Sequence, residues 1–269
     1  MPGLHLLGLN APEIARRVQP GQYCYLIEPA PRGLLLPVLP VGGFDRVSGR
    51  VDLYVDERSD RWTAALLGLR EGDSATLDGP LGRGFEIDTR SRHVLMVADE
   101  AGLPRVRAVV DEAVATGRRV TVLLGAPTAS AVFPSTLLPD EAEYVVATDD
   151  GTLGHHGPVT DLLTTYEAWA DQCFAAGSPP MLTRMTTLAR GRDERMGVAR
   201  LGRRRVRRAS ASAVGARRRA WLQVALPHDI GCALGVCLGC VVGGERGPLR
   251  ACREGPAFAA DELRWERAT

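Results

Sequence analysis

The chain has 269 residues and 45% hydrophobic content, which is enough for a folded core and suggests two or three domains. Its 33 basic and 32 acidic side chains give a formal net charge of +1, so overall charge favours neither nucleic acid nor a membrane surface as a partner. All the basic side chains are arginine, and the absence of lysine excludes a Walker-type phosphate loop.

The amino terminus lacks a basic region followed by an apolar run, and no stretch is long enough to span a membrane. We therefore predict a cytoplasmic protein, a compartment in which thiols stay reduced. Two of the six cysteines, Cys24 and Cys173, lie in apolar sequence, and we expect both to be buried in the core.

Residues 1–88 are predicted to form a small β-barrel. Residues 23–27 follow a Pro-Gly turn as an apolar strand, and residues 50–55 alternate between polar and apolar at the period of a strand. A short helix is predicted over 62–69, and a glycine-rich turn over 79–85 closes the region. Several short strands separated by turn residues are typical of a barrel.

Residues 91–190 are predicted to form a doubly wound parallel α/β domain. Apolar strands are expected at 93–98, 119–125, 143–148 and 173–177, and helices at 103–116, 159–169 and 180–189. Strands that alternate with helices indicate a parallel sheet covered on both faces.

Residues 191–219 carry clusters of arginine among small residues and show no sustained apolar face. We interpret them as a mobile basic insertion or a subunit contact. Binding of nucleic acid is a weaker alternative, because the segment has no aromatic residue on which a base could stack.

Residues 220–269 form a third region, which contains the most specific motif of the chain. Cys232, Cys237 and Cys240 follow the spacing C-x4-C-x2-C, and Cys252 supplies a fourth thiol. This spacing is that of plant-type 2Fe–2S clusters. Gly231, Gly235 and Gly239 are expected to give the loop its positive φ angles. Structural zinc, disulfides and free thiols are the alternatives, but zinc sites usually contain two C-x2-C pairs and disulfides belong to oxidising compartments.

A barrel, an α/β domain and a cluster module in this order resemble the electron-transfer subunit of two-subunit, NAD-linked dihydroorotate dehydrogenases, in the ferredoxin reductase superfamily. The resemblance covers nearly the whole chain except the arginine-rich insertion. Outside the cysteine loop, it rests on residues 11–14, 20–23, 79–85, 121–126, 147–161, 180–182 and 252–256.

The resemblance implies a short electron path within pyrimidine biosynthesis. An FMN-containing catalytic subunit oxidises dihydroorotate, and electrons pass singly through a 2Fe–2S cluster to FAD and then as hydride to NAD. The four cysteines match the ligands of the cluster one for one. The residues that fall in the FAD-type region are Thr63, Gly79, Gly82 and Gly84.

The chain departs from this family at the dinucleotide sites. An Arg-Pro-x-Ser strand that holds the flavin is replaced at residues 36–39 by Leu-Pro-Val-Leu, and a Gly-x-Gly-Thr turn keeps only Thr63. The glycine-rich loop for the pyridine nucleotide carries Asp99 and Glu100, where like charges would meet a pyrophosphate. The family's cysteine near hydride transfer is replaced by Ala176. We predict loss of NAD binding and of FAD binding. The competing interpretation is that residues 79–85 and backbone amides still hold FAD.

Two functions follow from these observations. The first is an iron–sulfur electron-transfer subunit in a hetero-oligomer with a catalytic flavoprotein chain, rather than a stand-alone enzyme. The alternative is a structural or assembly subunit whose cluster staples the fold. No catalytic residue is assigned. The adjacent His155 and His156 are interpreted as a solvated loop, because no third metal ligand is evident.

Overall fold

The computed structural model describes residues 3–28, 38–57, 66–195, 220–226 and 230–265. The arginine-rich stretch beyond Arg195, residues 36 and 37, and the first half of the helix predicted over 62–69, which includes Thr63, lie outside these ranges. Among the helices described, none is long and apolar enough to cross a membrane.

The amino-terminal region is a five-stranded antiparallel sheet in the order β1-β4-β3-β2-β5. Its elements are β1 (Leu4–Asn10), the one-turn helix α1 (Pro12–Ala15), β2 (Tyr23–Glu28), β3 (Val38–Asp45), β4 (Arg50–Asp56) and β5 (Thr76–Leu81). Closure of this sheet into a barrel remains a prediction. Its apolar core includes Cys24, which is fully buried as expected.

The second sheet has seven strands in the order β14-β11-β10-β6-β7-β8-β9, all parallel to their neighbours except β14. Its strands are β6 (His93–Asp99), β7 (Arg119–Ala126), β8 (Glu143–Thr148), β9 (His155–His156), β10 (Gln172–Ala176), β11 (Leu222–Ala225) and β14 (Ala257–Ala259). The carboxy-terminal region therefore supplies two strands to the sheet that begins at residue 93.

Helices cover both faces of the seven-stranded sheet, because successive side chains of a strand point to opposite sides. From β6, Val94 and Met96 pack with the apolar side of α2 (Leu103–Ala115), whereas Leu95 and Val97 belong to the core that contains α4 (Pro179–Arg195). A run buried on both faces explains why β6 is continuously apolar.

Two helices differ from the sequence-based expectation. The predicted helix over 159–169 is a 3-10 turn (Val159–Leu162) followed by one turn of α-helix, α3 (Leu163–Tyr166). The β-branched residues of this stretch favour a continuous helix only weakly. In contrast, α4 continues to Arg195, six residues past its predicted end at 189. The Arg192 guanidinium lies 4.2 Å from the centre of the Trp221 ring, a cation–π contact at this end of the helix.

Candidate metal centre

A β-hairpin places the last two cysteines side by side. It is formed by β12 (Val241–Gly244) and β13 (Gly247–Arg250), and it pairs Val241 with Arg250. Cys240 directly precedes β12, and Cys252 follows β13. The backbone N–H of Cys252 therefore points to Cys240 Sγ at 3.4 Å. Both residues are buried.

The loop before the hairpin carries the other two cysteines and turns its amides toward sulfur. The N–H of Cys237 donates to Cys232 Sγ at 3.5 Å, and the N–H of Gly239 donates to Cys237 Sγ at 3.5 Å. Such N–H groups stabilise negative charge on the sulfurs, a property that iron–sulfur sites use to set their potential.

The positive φ angles of this loop fall mostly on residues other than those predicted. Gly235 has a φ of 76°, but the other two positive values belong to Ala233 (50°) and Leu238 (59°) rather than to Gly231 and Gly239. A non-glycine residue in this region costs about 1–2 kcal/mol, and such strain concentrates at functional sites. The sequence did not indicate these two positions, because alanine and leucine carry no signal for the left-handed region.

The thiols of Cys232 and Cys252 have opposite electrostatic surroundings. The backbone N–H groups of Cys237 and Val236 lower the pKa of the Cys232 thiol to about 6, which makes it a thiolate at neutral pH. Burial raises the pKa of the Cys252 thiol to about 11. Because a metal ligand must be deprotonated, a cation at this site would displace the proton from Cys252.

The arrangement of the donor atoms bears on which metal group this region could hold. In the described part of the chain, no three His, Cys, Asp or Glu side chains form a group that could hold a single metal ion. A structural zinc site would need four ligands around one point. A 2Fe–2S cluster shares its four cysteines between two irons. The backbone N–H groups directed at Cys232, Cys237 and Cys240 would stabilise the negative charge of such a cluster.

Two tyrosines of β2 hold both cysteine segments against the amino-terminal sheet. The Tyr25 hydroxyl donates to the backbone oxygens of Gly231 at 2.8 Å and Ile230 at 3.3 Å, and the Tyr23 hydroxyl donates to that of Cys252 at 3.3 Å. Burial raises the pKa of both phenols, so both stay protonated and keep their donor role. Sequence analysis missed these contacts, since nothing local to the strand indicates them.

Arg250 supports the loop from its other side. Its Nη1 donates to the backbone oxygen of Gly235 at 3.4 Å, and its Nη2 lies 2.6 Å from the Glu254 carboxylate, which fixes the guanidinium. A Cβ on Gly235 would lie 2.8 Å from Cγ of Arg253. The turn at Gly235 is thus closed tightly against the segment that contains Cys252.

The glycines of the predicted FAD-type region lie at close backbone contacts. A Cβ on Gly79 would lie 2.7 Å from Cys24 Sγ, one on Gly82 2.7 Å from the oxygen of Gly255, and one on Gly84 2.5 Å from the oxygen of Pro20. These glycines are therefore explained by packing, and the turn contacts the segment after Cys252. Thr63 lies outside the described residues, and contact of any of the four with FAD remains a prediction.

The remaining candidates lie away from the four-cysteine site. Cys173 is fully buried in β10, as expected. His155 and His156 are exposed, and the nearest approach of His155 Nε2 to a carboxylate is 3.9 Å, to Asp161.

Solved structures match this fold. A chain of the NADH-dependent reduced ferredoxin-NADP oxidoreductase superposes with a TM-score of 0.73 at 21% identity, over 98% of this chain and 86% of that one. A ferredoxin reductase of carbazole 1,9a-dioxygenase gives a TM-score of 0.56 at 20% identity, over 70% of this chain and 60% of that one. Residues 228–264 match the family model described as the iron–sulfur cluster binding domain of dihydroorotate dehydrogenase B. The chain thus has a ferredoxin reductase-like fold with an iron–sulfur binding domain.

Curated relatives identify the family within this fold class. A protein of Methanocella arvoryzae named "Probable dihydroorotate dehydrogenase B (NAD(+)), electron transfer subunit" is 32% identical over 202 residues, 75% of this chain and 67% of the relative. The electron transfer subunit of dihydroorotate dehydrogenase B (NAD(+)) from Desulforamulus reducens is 28% identical over 98% of this chain and 94% of its own. The chain belongs to the family of dihydroorotate dehydrogenase B electron transfer subunits.

Proposed function

We propose that this chain is the electron-transfer subunit of a dihydroorotate dehydrogenase-like oxidoreductase. The carrying observation is that backbone N–H groups are directed at the sulfurs of Cys232, Cys237 and Cys240, with Cys252 donating one of them to Cys240. When bound, a 2Fe–2S cluster supplies reversible transfer of one electron. Cys232, Cys237, Cys240 and Cys252 would hold the irons.

The exposed side of the cysteine loop suits a protein partner. Leu234, Val236 and Leu238 are 69%, 72% and 62% exposed, and they flank Cys237, which is itself exposed. A patch of solvent-exposed apolar side chains typically marks a surface that binds another protein. The occupant we propose is the FMN-type catalytic subunit, whose family role is to deliver electrons to this subunit. The assembly is then a hetero-oligomer in which Cys237 faces the partner.

The rest of the chain takes its proposed roles from the family. An FAD-type domain spans 1–88, an α/β domain 91–190, a basic insertion 191–219 and a 2Fe–2S module 220–269, in a cytoplasmic protein. The proposal includes loss of FAD binding, because the FAD motifs are altered at residues 36–39 and at 60–63. A flavin absorbance spectrum of the purified chain tests this point, and one FAD per chain would refute its loss.

A folding staple is the second candidate, and it has its own supporting observation. The four cysteines lie where β11, the β12–β13 hairpin and the tyrosines of β2 meet, so bound metal would tie these elements together. In such sites, the free energy of metal binding becomes free energy of folding. Reversible reduction with turnover in the complex supports electron transfer, whereas a cluster that cannot be reduced while the chain stays folded supports the staple.

The test begins with anaerobic purification under ample iron. We expect about two iron atoms and two acid-labile sulfides per chain, and a paramagnetic signal that appears on reduction. Cys237→Ser should lose the cluster, since it removes one thiolate without disturbing a buried side chain. Cys173→Ala is the matched control, because it removes a thiol from the core, and it should keep full iron and sulfide. A wild-type chain without iron or sulfide would overturn the proposal.

A further inference from the structure

The seven-stranded sheet has the crevice in which proteins of this architecture bind dinucleotides. In open parallel sheets, ligands lie beyond the carboxyl ends of the strands, where the strand order reverses. Here β7 and β8 continue to one side of β6, whereas β10 and β11 lie on the other. The reversal therefore falls between β6 and β10, at Asp99 and at residues 176–178.

The Asp99 side chain bridges the two sides of this crevice. Its Oδ1 accepts a hydrogen bond from the N–H of Gly102 at 3.0 Å, and its Oδ2 accepts one from the N–H of Ser178 at 2.6 Å. Gly102 directly precedes α2 and Ser178 directly precedes α4. Amides at helix starts are the donors that bind phosphate oxygens in dinucleotide sites. The Asp99 carboxylate therefore occupies the donor before α4 and shares the donor before α2 with its own backbone oxygen, which accepts from the Gly102 N–H at 3.0 Å.

The backbone packs closely against the Asp99 carboxylate from both sides of the crevice. A Cβ on Gly177 would lie 2.7 Å from the Asp99 carboxyl carbon. A Cβ on Gly102 would lie 1.8 Å from the backbone oxygen of Ala176, so the start of α2 touches the end of β10. A phosphate that reached these amides would have to displace the Asp99 side chain.

The charge of the same edge also opposes a pyrophosphate. Glu100 follows Asp99, and Asp149 and Asp150 follow the carboxyl end of β8. Hydrogen bonds from Thr152 lower the pKa of the Asp150 carboxyl, which is therefore ionised at neutral pH. A dinucleotide brings two negative charges toward this edge, where like charges disfavour its binding.

We infer that this chain does not bind NAD or NADH, because the Asp99 carboxylate takes the place of a pyrophosphate at the crevice. The names of the relatives include NAD(+), and the residues at this crevice do not fit that nucleotide. Under the proposed function, electrons that reach this chain are then transferred to an acceptor other than a pyridine dinucleotide. This last statement rests on the proposed function, whereas the closure of the crevice does not.

Calorimetric titration of the full chain tests the inference, with NADH and ADP-ribose as probes. We expect no binding to the wild type tighter than about 1 mM, the upper end of ordinary enzyme–substrate affinities. Asp99→Gly frees the amide of Ser178 and removes one of the two acceptors of the Gly102 N–H, so its affinity for ADP-ribose should rise about tenfold or more. The matched control is Asp140→Gly, an exposed carboxylate before β8 at the opposite edge of the sheet, which should bind no better than the wild type.

Each outcome of this titration decides the matter. Submillimolar binding of NADH by the wild type overturns the inference without any variant. A folded Asp99→Gly chain that gains no affinity overturns the role of Asp99. Should that chain not fold, Asp99→Ala, which also removes the carboxylate from the crevice, must show a gain. Iron measured on the same samples separates the two proposals, since a chain without iron that also fails to bind NADH contradicts only the proposed function.

Discussion

The Tyr25 hydroxyl is expected to control how firmly the cysteine loop is closed. Tyr25 is 4% exposed, and its hydroxyl donates to the backbone oxygen of Gly231, the residue before Cys232. Tyr25→Phe removes one oxygen atom and leaves the ring in place. The loop then loses its short hydrogen bond to the amino-terminal sheet, while the four cysteines remain.

The magnitude follows from the burial of that contact. A typical intramolecular hydrogen bond contributes about 0.5–1.5 kcal/mol, and a buried carbonyl left without a donor costs about 1–3 kcal/mol. We expect Tyr25→Phe to lower the free energy of unfolding by about 1–2 kcal/mol. Where the same bond holds the loop closed, the population of open loop rises by a factor of about 5–30.

The assay is the rate at which visible absorbance of the cluster decays in excess chelator. Tyr144→Phe is the matched control, because its hydroxyl donates to a single backbone oxygen, that of Phe133, at 2.8 Å in a region remote from the cysteines. Both variants should lose similar stability in chemical denaturation, but only Tyr25→Phe should lose its cluster faster. Equal acceleration in the two variants would assign the effect to global unfolding and refute the role of the Tyr25 contact. Decay of Tyr25→Phe at the wild-type rate would refute it as well.

Two further substitutions test the packing around the site and between the sheets. Gly235→Ala places a side chain at a φ of 76° and 2.8 Å from Arg253. We expect the free energy of unfolding to fall by about 1–2 kcal/mol and the iron content to decrease. The control is Gly239→Ala, whose Cβ would lie 3.7 Å from the nearest sulfur, and which should retain its iron. Gln223→Leu removes the buried amide that donates to the Glu86 oxygen at 2.6 Å and accepts from its N–H at 3.1 Å. Chemical denaturation should show a loss of about 1–3 kcal/mol, against little change for the exposed Gln19→Leu. Unchanged stability of Gln223→Leu would show that this link does not hold the connection between the sheets.

Signals that are local in sequence predicted their structures well. The apolar run at 93–98 forms β6, and the strand predicted at 143–148 has the bounds of β8. The cysteine spacing predicted a shared cluster site, and the hairpin brings Cys240 and Cys252 together, but binding of one cluster by all four cysteines stays a prediction. The helix predicted over 159–169 was wrong in extent, since apolar spacing alone does not reveal how weakly β-branched residues hold a helix.

Contacts between residues that are far apart in the chain could not be predicted from the sequence. Tyr25 and Gly231 are 206 residues apart, and no periodicity relates them. The glycines at 79, 82 and 84 were interpreted through a flavin motif, whereas the structure also explains them by close packing against Cys24, Gly255 and Pro20. A glycine pattern alone does not distinguish room for a ligand from room for another part of the same chain.

The role of Asp99 rests on both a local sequence signal and a contact that forms only in the folded chain. The sequence predicted repulsion, because a carboxylate stands where a dinucleotide loop is usually uncharged. Repulsion alone would leave the amides of the crevice free and could be offset by a cation bound with the nucleotide. The hydrogen bond to Ser178, 79 residues away, changes the argument, because the donor at the start of α4 already has an anionic partner. Removal of the charge at Glu100 should therefore do less for nucleotide binding than removal of the Asp99 side chain, and titration of Glu100→Gln beside Asp99→Gly measures that difference.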